Sequence, residues 1–218
     1  MGGRGSGSGF RAGGSNPTTR TIGSDSEAVD FEISEFQKWR DGLSPAELQA
    51  AQEYALDSTL LNAYIRGDGP APRGMDADQR IADLDAAISH PLSTGLTVFR
   101  GVGTNYLGMD LSNEDAIKAL VGKTVRDKAF MSTALTQEVG ETYGRGVVFK
   151  ISVPKGTKAM NPDIAENSAA QLRDYLADGD AGNTELVFRR NTGLKITGYT
   201  RRTGHDGRQY WEIQAQMK

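Results

Sequence analysis

Three short stretches of this chain put chemically active side chains at the ends of apolar runs. Arg100 closes Leu96-Thr97-Val98-Phe99 and is followed by Gly101 and Gly103. Ser132 and Thr133 follow Phe130-Met131, and Glu185 opens Leu186-Val187-Phe188 directly after the polar stretch DGDAGNT. A guanidinium at the end of a buried strand is costly unless an anion pairs with it. A neighbouring glycine lets a ligand approach the backbone. One cation, two hydroxyls and one carboxylate could therefore converge on an anionic ligand that carries hydroxyl groups. Strand ends are also polar for solvation, so the residue types alone leave both readings open.

Other chemistries find less support. The 218 residues contain no cysteine, which removes disulfides, thiolate zinc sites and thiol nucleophiles. His90 precedes a proline and His205 lies in a turn stretch, isolated from one another, so a metal site is not expected. Gly101-Val102-Gly103 lacks the third glycine of a dinucleotide fingerprint, and no serine sits in a G-x-S-x-G elbow. Asp76-Ala77-Asp78 lacks the glycine and closing glutamate of a calcium loop and reads as the acidic first turn of a helix. Twenty-five Lys+Arg against 28 Asp+Glu leave a net charge of -3, so bulk attraction to nucleic acid or anionic lipid is not the driving force. Arg189, Arg190, Arg201, Arg202 and Arg208 lie near Tyr199, Tyr210 and Trp211. That grouping could stack on nucleic acid, but reads more simply as the charged face of a sheet. No run of about 18 apolar residues could span a membrane. Residues 1–10 lack the apolar core of a secretory signal, so location stays open between the producing cell and delivery by a secretion machine or phage.

The elements that must position these groups follow from periodicity. The stretch MGGRGSGSGFRAGGSNPTTR cannot bury enough apolar surface to offset its ordering entropy. Residues 1–28 are therefore expected to form a flexible leader and 29–218 a single domain. Phe36, Trp39 and Leu43 after Ser34 predict a short amphipathic element. Ser44-Pro45-Ala46-Glu47 sets an N-cap, a first-position proline and an acid in the first turn. LQAAQEYALDSTLLNAYIRG continues that helix to Gly67, a third helix covers 76–88, and another covers 113–121. The period then changes, with strands expected at 96–100, 124–125, 129–132, 147–153, 185–188, 194–199 and 209–216. Helices first and strands afterwards indicate an α+β fold with a mostly antiparallel sheet or pair of sheets.

In this order, Phe99-Arg100-Gly101, Phe130-Met131-Ser132-Thr133 and Asn183-Thr184-Glu185 resemble the arginine, Ser-Thr-Ser and E-x-E signature of the bacterial ADP-ribosyltransferase exotoxins. The likeness runs on through EYALDSTLLNAYIRG, IADLDAAISHPLSTGLTVFRG, VGKTVRDKAFMSTAL, VVFKISVPKGTKA and TELVFRRNTGLKITGY, roughly residues 35 to 216. Each motif alone is unspecific, and the ordered set is what carries the resemblance. It implies the ADP-ribosyltransferase fold: two packed, mostly antiparallel β-sheets forming a split NAD-binding core with N-terminal helices. It also implies a mono-ADP-ribosyltransferase toxin or effector that uses NAD as co-substrate and no metal.

The same resemblance assigns roles. Glu185 would hold the ribose 2′-hydroxyl and stabilise the positive charge that develops as nicotinamide leaves. Ser132 would aim Glu185, and Thr133 would support the ribose or the strand end. Arg100 would pair with the diphosphate, with Arg145 as a second phosphate ligand, and Gly101 would offer its backbone to the nicotinamide amide. Asn62 and Arg66 match the helix positions that touch the nucleotide. Asn183 would face the acceptor, a macromolecule read as protein with RNA left open. An inhibitor or immunity protein is a further implied partner, a monomer is expected, and a membrane partner is not. Three positions depart from the pattern. Ala134 ends the hydroxyl motif, Ser58 or Thr59 stands where a second tyrosine is usual, and Asn183 replaces the first acid of E-x-E. The rival readings are an NAD glycohydrolase with water as acceptor and a non-catalytic binding domain of the same fold.

Overall fold

The computed structural model describes residues 9–11, 19–179 and 184–218. Asp180 to Asn183, including the expected acceptor-reading Asn183, lie outside the described residues. The N-terminal half is helical: α1 (Asp25–Asp41), α2 (Pro45–Leu56), α3 (Thr59–Arg66) and α4 (Ala77–Ala87). Short helices α5 (Glu114–Lys118), α6 (Gln137–Tyr143), α7 (Pro162–Glu166) and α8 (Ala169–Ala177) punctuate the strands that follow. In chain order the strands are β1 (Gly9–Arg11), β2 (Arg20–Thr21), β3 (His90–Pro91), β4 (Leu96–Gly103), β5 (Thr124–Arg126) and β6 (Met131–Ala134). After them come β7 (Gly146–Val153), β8 (Lys158–Met160), β9 (Glu185–Phe188), β10 (Gly193–Thr203) and β11 (Gln209–Met217).

The hydrogen-bonded order is β1-β10-β11-β7-β4-β6-β9-β8-β3, with β2 beside β4 and β5 beside β10. Pairing is antiparallel except between β11 and β7 and between β2 and β4. One junction divides this path. β4 and β7 pair along their whole length, from Leu96↔Val153 to Gly103↔Gly146. β4 and β6 pair at a single position, Phe99↔Ala134. The sheet therefore splits into two halves immediately before Arg100. At a split, backbone and side chains at strand ends can face a ligand rather than a neighbouring strand.

Two sequence expectations shift at helix ends. The helix expected to run unbroken to Gly67 stops at Leu56, because the Asp57 carboxylate accepts the Thr59 N–H at 2.8 Å and its backbone turns extended. A local side-chain bond of this kind competes with helix continuation. Gly67 does end α3, in the left-handed conformation at φ 85°. The short element expected around Phe36 is the end of a longer helix that opens at Asp25, where Ser24 accepts the Glu27 N–H. Ahead of it, Arg20–Thr21 pair with β4, and Gly9–Arg11 pair with β10. β2 and the start of α1 thus lie upstream of residue 29, while residues 1–8 and 12–18 of the expected leader lie outside the described residues; backbone pairing of this kind leaves little trace in side-chain pattern.

The core lies where the helical layer meets the strands. Phe36 and Leu84 from the helices, Ile88 just after α4, and Val147, Phe149, Ile151 and Val153 from β7 are fully buried. Each such side chain contributes about 1.5–3 kcal/mol on burial. The opposite face of β4 and β7 carries Phe99 and Val148 under α6. Here α6 sits so close that a Cβ on Gly101 would lie 2.3 Å from the Gly140 carbonyl oxygen, and one on Gly140 would lie 2.5 Å from the Phe99 Cβ. Gly101→Ala meets backbone rather than a flexible side chain. It should cost about 2–3 kcal/mol, seen as a melting temperature lowered by roughly 5–10 °C. An unchanged melting curve would mean that α6 can move away freely.

Candidate active site

A cleft of about 430 Å³ opens at the split, lined by α2, α3, β4, β6, α6 and the first residue of β9. Asn62, Arg66, Arg100, Gly101, Ser132, Thr133 and Glu185, seven residues singled out from the sequence, all border it. Arg145 lies past α6, where its N–H bonds the Val102 carbonyl, and is not among the lining residues. Asn183 lies outside the described residues.

Glu185 heads β9 opposite Ala134, with Ser132 two residues back on the paired strand. Alternation puts Ser132 and Ala134 on one face of β6, and the Ser132 hydroxyl lies near enough to Glu185 to favour its ionised form. Behind Ser132 stands Tyr54, whose hydroxyl lies 2.9 Å from Ser132 Oγ and accepts from Asn62 Nδ2 at 3.0 Å. Either hydroxyl can donate between Tyr54 and Ser132, and Asn62, Tyr54 and Ser132 form a polar chain that ends beside Glu185. Thr133 points the other way, and its buried hydroxyl donates to the Leu186 carbonyl at 2.9 Å. Its part is to tie β6 to β9.

Glu185 faces the cleft yet is surrounded by dense protein. Desolvation raises its pKa and the charge of Asp163 adds to this, while the Ser132 hydrogen bond and Arg100 oppose it, leaving the carboxyl at about 7. Burial and the Glu185 charge push the Tyr54 phenol up to about 12, so it is a hydrogen-bond donor at neutral pH.

The cationic side is built around a residue that motif reading missed. Arg66 donates to Asp127 in a fork, Nε to Oδ1 at 2.9 Å and Nη2 to Oδ2 at 2.7 Å. Arg100 Nη2 reaches the same Oδ2 at 3.3 Å, the Tyr106 hydroxyl donates to it at 2.9 Å, and the Ala129 N–H donates to Oδ1 at 3.0 Å. Desolvation would raise the Asp127 pKa, but the Arg66 and Ala129 hydrogen bonds and the two guanidinium charges outweigh it and hold the carboxyl below its ordinary value. Arg100 Nη1 also donates to the Ser132 carbonyl at 2.5 Å, bridging the halves where the backbone ladder has stopped. Two cations share one carboxylate on this side of the cleft, so positive charge is concentrated here, away from Asp57 and Glu185 on its other walls. Asp127, Tyr54 and Tyr106 are separated in sequence from the residues they hold. The RDK of Arg126-Asp127-Lys128 before Ala129-Phe130 was a charged signal that could have drawn attention to Asp127.

Among the described residues no group of three or more His, Asp or Glu could hold a metal ion. No helix among the described residues is long and apolar enough to cross a membrane.

A carboxylate beside a hydroxyl and paired guanidiniums in a split α+β sheet gives this cleft donors that suit an anion and an acceptor that suits a hydroxyl. The family model described as ADP-ribosyltransferase exoenzyme matches residues 28–218, and the chain belongs to that family, whose enzymes take ADP-ribose from NAD. Mono-ADP-ribosyltransferase C3 of Clostridium botulinum C phage is 26% identical over 167 residues, 66% of this chain and 68% of that protein. NAD(+)--arginine ADP-ribosyltransferase EFV of Enterococcus faecalis is 28% identical over 170 residues, which span 73% of this chain but only 30% of that protein. In fold, the chain is similar to the Plx2a toxin of Paenibacillus larvae, with a TM-score of 0.74 at 20% identity over 92% of this chain and all of that one. It is also similar to the BECa toxin of C. perfringens, solved with NADH, with a TM-score of 0.73 at 18% identity over 90% of this chain and 49% of that one.

Proposed function

We propose that this chain is a mono-ADP-ribosyltransferase that cleaves NAD between nicotinamide and ribose and passes ADP-ribose to a protein acceptor. The observation that carries the reading is the Glu185 carboxylate, held by the Ser132 hydroxyl in the same cleft as Arg66 and Arg100. The donor set suits the dinucleotide. Arg100 Nε and Asn62 Oδ1 are buried and find no hydrogen-bond partner among the described residues, leaving one donor and one acceptor for a bound diphosphate and hydroxyl. NAD supplies its own leaving group, since nicotinamide departs as a neutral ring and positive charge develops on the ribose. Glu185, ionised, would accept from the ribose 2′-hydroxyl and offset that charge in a site with little water. Ser132, backed by Tyr54, would fix the carboxylate's direction, and Arg100 and Arg66 would fix the diphosphate. Gly101 contributes its backbone only, because its side-chain position is filled by α6.

Asn183 stands two residues before Glu185. An amide can hydrogen-bond an acceptor but cannot take a proton from a guanidinium, so we read the acceptor side chain as one other than arginine.

Purified protein should release nicotinamide from NAD and move label from NAD onto lysate protein. The kcat/KM for NAD should rise with pH through about 7, because the working form of Glu185 is the carboxylate. Mass spectrometry of the product should find a linkage other than arginine. No nicotinamide release at millimolar NAD would end the proposal. Release without label transfer would make water the acceptor, and arginine-linked label would overturn the reading of Asn183.

A further inference from the structure

The peptide that carries Glu185 is held from both sides by α7 and its cap. The Glu185 N–H donates to Asp163 Oδ2 at 2.9 Å, and Asn161 Nδ2 donates to the Glu185 carbonyl at 3.0 Å. Asn161 is itself fixed: its Oδ1 accepts the Ile164 N–H at 2.7 Å, and its Nδ2 also donates to Oε1 of the fully buried Glu32 of α1 at 2.8 Å. One residue earlier, Thr184 is fully buried with φ 43°, a left-handed conformation that a β-branched residue adopts only under constraint. Its hydroxyl has no partner among the described residues, and the constraint comes from the backbone, where its carbonyl accepts the Leu135 N–H at 3.0 Å. Strain at this point, beside the residue that faces the ribose, fixes where β9 begins and which way its first side chain leaves the strand.

We propose that Asp163 and Asn161 are positioning residues for Glu185, gripping the N–H and the carbonyl of its peptide so that its carboxylate stays aimed at Ser132. The inference rests on the proposed role of Glu185. Neither residue lines the cleft, so neither acts on NAD directly. Asp163 has a second effect through its charge. The groups that face Glu185 are Arg100 of β4, Ser132 of β6, Tyr54 of α2, Tyr143 of α6, Asp163 of α7 and Glu32 of α1. Of the carboxyls, burial raises Asp163 to about 6, with Glu166 adding to the rise and the Glu185 N–H opposing it. Glu32 is held well above the ordinary range by burial and by the Asp163 charge. Once ionised, Asp163 makes the Glu185 carboxyl harder to ionise.

Nicotinamide release by wild-type protein, Asp163→Ala and Asp163→Asn, followed across pH, separates grip from charge. Asp163→Ala loses the N–H acceptor, and its kcat should fall about tenfold or more with KM for NAD little changed, as expected for a displaced reacting group. Asp163→Asn keeps an oxygen for the N–H and removes the charge. Its kcat at alkaline pH should stay near the wild-type value, while the acid limb of kcat/KM shifts to lower pH. A merely structural aspartate would not move that limb. An unmoved limb in Asp163→Asn overturns the proposal even if Asp163→Ala fails to fold, as does a wild-type kcat in a folded Asp163→Ala. A wild-type protein that releases no nicotinamide defeats the function itself and this inference with it. An active wild type with unresponsive variants defeats the positioning alone.

Discussion

Glu185→Gln should lower nicotinamide release by about 10²-fold or more, the loss expected when about 3 kcal/mol of transition-state stabilisation is removed. Glutamine keeps the shape and can still accept from Ser132, so what disappears is the negative charge facing the ribose. KM for NAD should change far less than kcat, since Arg66 and Arg100, the proposed diphosphate ligands, are left intact. Stability should not follow activity downwards. The folded-state pKa of Glu185 is raised from 4.5 to about 7, so the protein gains from this group only while it is protonated. That contribution is full below the unfolded value and is lost as pH rises through about 7. At pH 8 the variant escapes the burial of a charge, and its melting temperature should equal or exceed that of the parent. A variant that turns NAD over at the parental rate would remove the case for Glu185 as the catalytic carboxylate, and one that unfolds at pH 8 would contradict the stability expectation.

The second large effect concerns Asp127, whose side chain is 2% exposed between two arginines. Replacing it with alanine leaves the Arg66 and Arg100 guanidiniums close together without their shared anion. It also strips the Tyr106 hydroxyl and the Ala129 N–H of an acceptor. Removing one partner of a buried ion pair costs about 3–5 kcal/mol, which in a chain of this size is a melting temperature lower by about 10 °C. The sign with pH is the reverse of that for Glu185. The Asp127 pKa is lowered from 3.8, so its contribution is present above that value and fades as pH falls below it. The gap between parent and Asp127→Ala should therefore be full at neutral pH and narrow on acidification. Inorganic pyrophosphate should recover part of the lost melting temperature, because an anion that binds the folded state stabilises it by mass action. A melting temperature within a degree or two of the parent at pH 7 would show that the arginines find other partners and that Asp127 does not organise them.

How much of this site could be read beforehand follows from the range of each interaction. Arg100, Ser132 and Glu185 are visible because each sits at the boundary of an apolar run, and order along the chain relates them to a family. Gly101 is visible too, but its physical reason is not: the absent Cβ makes room for α6, which packs directly on β4 at the cleft wall. The break at Asp57 is hidden within an otherwise helical pattern, because a single side-chain bond to Thr59 overrides periodicity. Tyr54 reads from the sequence as a helix residue with an apolar body. Only the packing of α2 against β6 puts its hydroxyl 2.9 Å from Ser132 Oγ.

Residue types and their periodicity determined an α+β chain, helices first and strands after, together with the polar strand ends around which chemistry could gather. These are local properties, set by side-chain size, charge and a repeat of a few residues. The tertiary structure decided the rest: that the sheet parts at Phe99↔Ala134, that Asp127 shares itself between Arg66 and Arg100, and that Asn161 and Asp163 grip the Glu185 peptide. Each joins residues more than 20 positions apart through one hydrogen bond or one strand pair, and a contact of that kind imposes no period on the chain.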